Sequence, residues 1–131
     1  MANISDYAEK AMLDWVLGGA TPTRPAAWGL GVSLGTPNAS AMSEIATGSG
    51  FNRATVVFGA AASPAGSAIN TTAVTFGPAS AAATIVGIHV WDTAAATAGN
   101  PLWYGTLATT RTLASGDSLV IASGALVITL T

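Results

Sequence analysis

His89 is the only imidazole in the chain and so its only side chain that ordinarily changes charge near neutral pH. It stands in the run Val86-Gly87-Ile88-His89-Val90-Trp91-Asp92. An oriented general base would need a carboxylate on its own face, but Asp92 lies three residues on, and that spacing on a strand sends two side chains to opposite faces. No G-x-S-x-G turn supplies a nucleophile either. His89 is therefore expected to pack beside Gly87 and Trp91 on one face, or to lie at a subunit contact.

Asp92 and Asp117 sit next to turn residues, where a carboxylate either binds calcium or caps backbone amides. Calcium takes about six to eight oxygens, usually with several acids in one short loop, and neither segment has a second acid nearby. Capping is the expected role, with no metal. Gly29-Leu30-Gly31 and Gly48-Ser49-Gly50 lack the lysine and following helix of a phosphate cradle, so no cofactor is expected. Asn38-Ala39-Ser40 and Asn70-Thr71-Thr72 match the glycosylation triplet, a pattern that arises by chance in a chain this rich in Ser and Thr.

The aromatic side chains are the remaining candidates. Trp15, Trp28, Trp91 and Trp103, with Tyr7 and Tyr104, belong mostly to a core or to subunit contacts. Trp103 and Tyr104 are adjacent, so on a strand one of them must point away from the core. Together with Trp91 they form the expected surface aromatic contact, of a kind that can stack on sugar rings.

Four cations, six acids and no cysteine in 131 residues, half of them hydrophobic, leave little else for chemistry. Catalytic centres gather several titratable groups in one pocket, and here those groups are scattered singly, which argues against an enzyme. Lys10, Arg24, Arg53 and Arg111 are far apart and the net charge is −2, so no basic stripe for nucleic acid exists. Gly, Ser, Thr and Pro interrupt every apolar stretch before the roughly 18 residues of a membrane span. The start lacks a basic segment followed by an apolar run, so no signal peptide is read there. A chain so poor in charge would be poorly soluble as a free monomer, which predicts life inside an assembly.

The elements follow from periodicity. Residues 4 to 17 read as a helix, with Ile4, Tyr7, Ala8, Ala11, Met12 and Trp15 on an apolar stripe, Asn3 or Ser5 as its cap and Gly18-Gly19 as its stop. Thr21 to Pro25 reads as an extended connector. Strands are expected at Trp28 to Leu34, Phe51 to Phe58, Thr71 to Phe76, Thr84 to Trp91, Leu102 to Leu107 with an extension to Leu113, Ser118 to Ile121 and Leu126 to Leu130. The apolarity of both faces makes Thr84 to Trp91 the central strand. Residues 35 to 50 read as the longest loop, mobile or gripping a neighbour, and Gly59 to Asn70 as a hairpin loop. The fold class is mainly β, an antiparallel sandwich or jelly roll of about seven to eight strands with one N-terminal helix. One domain is expected over 1–131, with the helix segment at 1–20 and the sandwich at 26–131.

Across nearly its whole length the chain resembles a family of small virion proteins of tailed bacteriophages. The residues that carry the likeness run from Ser5-Asp6-Tyr7-Ala8-Glu9-Lys10-Ala11-Met12-Leu13-Asp14-Trp15 to Gly18-Gly19, followed by Pro22-Thr23-Arg24-Pro25. Phe51-Asn52-Arg53, Thr75-Phe76, Gly87-Ile88 with Asp92, Leu102-Trp103-Tyr104-Gly105 and Gly116-Asp117 continue it. The short, low-charge segment between Gly35 and Gly50 departs from it. Similar proteins are described as tail-fibre, minor structural or head-decoration proteins. The resemblance implies a non-enzymatic virion component, assembled in the host bacterial cytoplasm as a homo-oligomer on major capsid or tail proteins. The amphipathic helix, with Tyr7, Met12 and Trp15 as its interface, is expected to dock onto the sandwich or into a partner. The absence of a fibrous repeat or long coiled coil favours a capsid decoration or cement protein; a tail or tail-fibre component, with Trp91, Trp103 or Tyr104 meeting a host-surface glycan, is the alternative.

Overall fold

Ser5 begins the structure's first regular turn because its backbone is extended (φ −77°, ψ 158°) while its hydroxyl accepts a hydrogen bond from the Ala8 amide at 3.2 Å. Helix α1 follows over Asp6–Leu17, with Asp6 and Glu9 at its positive end, and stops at Gly18, whose left-handed φ of 89° suits a residue without Cβ. The expected helix start at residue 4 is corrected by one element: Asn3–Ile4 form β1, paired with Trp103 and Tyr104. Ser5 ties that junction down by donating its hydroxyl to the Pro101 carbonyl, so the helix cannot begin earlier.

The computed structural model describes residues 3–45, 48–62 and 66–130. The parts of the 1–20, 35–50 and 59–70 segments that fall on residues 1–2, 46–47 and 63–65 lie outside the described residues. Among those described, the chain is mainly β, with nine strands and one helix. After β1 and α1 come β2 (Trp28–Ser33), β3 (Ala54–Val56), β4 (Ser67–Ile69), β5 (Val74–Phe76), β6 (Ala83–Trp91), β7 (Pro101–Leu113), β8 (Leu119–Ile121) and β9 (Val127–Thr129). A five-stranded sheet runs in the order β1-β7-β6-β2-β3, and β4-β9 and β5-β8 form two ribbons; every pairing is antiparallel.

Leu30, Val32, Val56, Ile85 and Val90 from the large sheet meet Phe51, Val74, Phe76, Leu126 and Ile128 in one buried cluster. This is the sandwich core, in which the hydrophobic effect supplies the main stabilisation. β6 lies between β7 and β2, and its central position explains why both of its faces carry apolar side chains.

Three local expectations change. The expected strand at Leu102 to Leu107 with its extension to Leu113 is a single 13-residue strand, β7, which starts one residue earlier, at Pro101, and bulges opposite Ile85 and Gly87. The expected strand at Phe51 to Phe58 shortens to Ala54–Val56, the stretch that pairs with β2, with Phe58 in an isolated bridge to Asn70. The expected loop at Gly59 to Asn70 contains β4, whose small residues are held by pairing with the distant β9.

The described part of the 35 to 50 segment packs on this chain as far as Ile45. Leu34 N donates to Ser43 O at 3.3 Å, Ile45 N to Val32 O at 3.2 Å and Ser33 Oγ to Met42 O at 2.7 Å. Met42 and Ile45 are buried. These apolar anchors fasten the loop along β2 beyond the end of β3 and bring Glu44 over the sheet.

Asn70 joins the two ribbons. It is fully buried; its amide donates to Thr72 O at 2.8 Å and Ala122 O at 2.9 Å, and its Oδ1 accepts from Leu126 N at 2.9 Å. These bonds occupy the nitrogen that a glycan would need. Asn38 instead organises an exposed turn, accepting from Ala41 N at 2.9 Å. Asn70→Ala would leave the buried Leu126 amide without its partner and remove the links to the Thr72 and Ala122 carbonyls, and we expect it to lower unfolding free energy by about 2 kcal/mol in urea titration.

Candidate functional site

Between residues 25 and 91 the chain carries only two formal charges, Glu44 and Arg53, and the fold brings them together. Arg53 Nε donates to Glu44 Oε1 at 2.6 Å and Nη2 to Oε2 at 2.8 Å, with only 3% of the Arg53 side chain exposed and 23% of that of Glu44. The planar fork of the guanidinium matches the carboxylate. Its third nitrogen, Nη1, donates to the carbonyls of Ala95 at 2.8 Å and Ala98 at 2.7 Å. The guanidinium carbon lies 3.5 Å from the centre of the Trp91 ring, in cation–π contact.

Trp91 Nε1 in turn donates to His89 Nδ1 at 2.6 Å, the two rings meeting edge to face. The sequence expectation that His89 packs with Trp91 rather than with Asp92 holds. His89 is fully buried, and β2 makes room for it with Gly31, where a Cβ would overlap the imidazole. Burial is the main cause that lowers its pKa from 6.5 to about 4; Arg53 adds to the lowering, while Glu44 and the Val32 backbone oppose it. Nε2 is buried with no hydrogen-bond partner among the described residues.

The cluster's chemistry is structural. Arg53 occupies both oxygens of Glu44, and Asp92 accepts from Asn100 N at 2.7 Å and from Asn100 Nδ2 at 3.0 Å, closing the loop at 92–100. Asp117 accepts from Ala114 N at 2.9 Å, so both aspartates act as caps. Among the described residues no three of His, Cys, Asp and Glu gather to hold a metal ion, and no helix is long and apolar enough to cross a membrane.

The aromatic candidates fall in three places. Trp91 belongs to the charge cluster. Trp103 stands opposite Val90 on the core side of the sheet, whereas Tyr104 stands opposite His89 on the other face, and all three are half-buried. They do not form one platform. Tyr7, Met12 and Trp15 lie on α1 and are exposed. A groove of about 370 Å³ separates the helix and connector from the sheet, lined by Tyr7, Trp15, Trp28, Leu102 and Trp103, with Arg24 at Trp28 (5.4 Å from guanidinium carbon to ring centre).

The sequence reading missed Glu44 and Arg53. The available signal was their isolation: two opposite charges in a long neutral, apolar stretch must each find a partner or stay in water.

Arg53→Met should cost about 3–5 kcal/mol of stability, since it leaves Glu44 unpaired and two loop carbonyls unsatisfied. Glu44→Leu together with Arg53→Met should cost less than Arg53→Met alone in a urea double-mutant cycle. Unfolded His89 titrates near 6.5 and the folded residue at about 4, so the unfolded state binds more protons between them. Stability should be full above the unfolded value and fall as pH drops toward the folded one, by about 3 kcal/mol. Urea midpoints across that interval should flatten in His89→Gln.

No curated protein matches the chain. Residues 3–129 of the 131 match the model of the family described as podophage GP4 fiber I protein gp80. The match spans α1, all nine strands and both partners of the buried ion pair. The chain therefore belongs to the podophage GP4 fiber I protein gp80 family, a family of structural fibre components of the tailed-phage virion.

Proposed function

We propose that this chain is a non-enzymatic fibre component that attaches to other virion proteins through helix α1. The observation that carries this reading is the helix surface. Among its residues only Ala8 is buried, while Leu13, Trp15, Val16 and Leu17 are 59–78% exposed and Tyr7 and Met12 are 43% and 39% exposed. Asp6, Glu9, Lys10 and Asp14 keep one side of α1 polar, but large apolar area left in water on the rest of it marks an interaction site. One side of α1 rests on β7 through Ala8; the rest is available to a neighbour. Family membership favours a place in the tail fibre over capsid decoration.

A second reading draws on the groove beside the helix. Trp15, Trp28 and Trp103 with Arg24 at the rim are the residue types that stack on and hydrogen-bond a sugar ring, and a host-surface glycan would fit this place better than the separated trio Trp91, Trp103 and Tyr104.

Immunogold labelling of intact particles tests the location: gold at the tail or its fibres is expected, and gold scattered over the head would overturn it in favour of decoration. Leu13→Glu with Val16→Lys should abolish incorporation into particles while leaving the thermal midpoint within about 2 °C, because exposed substitutions change stability little. Normal incorporation of that variant would remove α1 as the attachment surface. Binding on a glycan array that is lost in Trp28→Ala would support the groove reading; a blank array would end it.

A further inference from the structure

We infer that His89, Trp91 and Arg53 form a proton-operated latch, which holds the 92–100 loop closed while the imidazole is neutral and releases it when the imidazole is protonated. The argument starts from donor and acceptor chemistry. An indole N–H can only donate, so the Trp91 to His89 bond requires a lone pair on Nδ1, and neutral His89 must carry its proton on Nε2. A second proton can enter only at Nδ1. Two N–H donors would then face each other across 2.6 Å, and the hydrogen bond becomes a repulsion.

Only the Glu44 charge and the Val32 backbone favour the new charge, and burial outweighs both. From the 34–45 segment Glu44 faces the cluster with both oxygens already held by Arg53. Arg53, just before β3, brings a positive charge of its own. On β6 and beyond, Trp91 is the hydrogen-bond donor, and Asp92 is occupied by Asn100. On β7 the cross-strand neighbour is Tyr104, and on β2 it is Gly31, which has no side chain to offer. Burial supports the same conclusion by holding His89 neutral until well below its usual range.

Relief comes from moving Trp91, and Trp91 is the surface on which the Arg53 guanidinium rests. Arg53 ties Ala95 and Ala98 to the rest of the chain, so displacement of the indole loosens the middle of the loop. The loop's two ends stay joined by Asp92 and Asn100. The core pairing of β6 with β2, from Gly29 and Trp91 to Ser33 and Gly87, does not depend on these bonds. The release is therefore local.

Hydrogen exchange by mass spectrometry on the full chain, corrected for the pH dependence of intrinsic exchange, reads this directly. Between pH 7 and pH 3.5, protection of the Ala95 and Ala98 amides, which bond Thr93 Oγ1 and the Ala95 carbonyl, should fall at least tenfold more than that of β2 and β6 amides, whose own fall reports the loss of global stability. His89→Gln retains an acceptor for Trp91 but cannot take the proton, and should keep the loop protected at the lower pH. Should that variant fail to fold, Trp91→Phe keeps a ring under Arg53 without the opposing donor, and its loop should likewise stay protected. Nitrogen-15 NMR of the wild-type imidazole should report the Nε2–H tautomer at pH 7. Acid opening of equal size in His89→Gln would assign the effect to Glu44 or Asp92 and overturn the latch. So would an Nδ1–H tautomer at neutral pH, or loop exchange that rises only together with that of the core.

Discussion

The ion pair of Arg53 with Glu44 is the interaction on which the upper side of the large sheet depends. Removing a guanidinium from water is unfavourable unless its donors and charge are met, and here the carboxylate and two carbonyls accept four hydrogen bonds from it while the face of an indole covers the cation. Each partner comes from a different segment. Glu44 arrives on the chain that folds back along β2, Arg53 stands before β3, Trp91 ends β6, and the carbonyls belong to the loop that leads into β7. One side chain thus registers four stretches that backbone hydrogen bonds alone connect only pairwise.

The opposite side of the sheet is held differently. There Leu30, Val32, Ile85 and Val90 close on Phe51, Phe76, Leu126 and Ile128 with no charge involved, and the polar work is confined to Asn70, whose buried amide fastens the ribbons to each other. β6 separates the two regimes: Val90 faces the apolar core and His89 the charge cluster. Glycine at position 31 belongs to the second regime, because only a residue without Cβ leaves space for the imidazole.

Helix α1 stands outside both. It is anchored at its start by Ser5, which caps the first turn and bonds the Pro101 carbonyl, and it covers the sheet with little more than Ala8. Leu13, Val16 and Leu17 are left exposed, as the proposed attachment surface requires.

Local sequence determined the helix and its Gly18 stop, the central place of β6 and the antiparallel β class, while the cap stood open between Asn3 and Ser5 until the pairing of Asn3–Ile4 with β7 decided it. Side-chain period, capping chemistry and β-branched content act over a few residues and can be read there. The short strand β4, the unbroken β7 and the packing of the 35 to 50 segment were decided by pairing across long stretches of chain, which no local period records. The same holds for the cluster: nothing near Glu44 or Arg53 in sequence names the other, and Trp91, Trp103 and Tyr104, close together in the chain or across one strand pair, part to opposite faces once the sheet forms. Only the tertiary structure sets which of those groups meet, because burial of a charge is tolerable only where distant segments bring all of its partners at once.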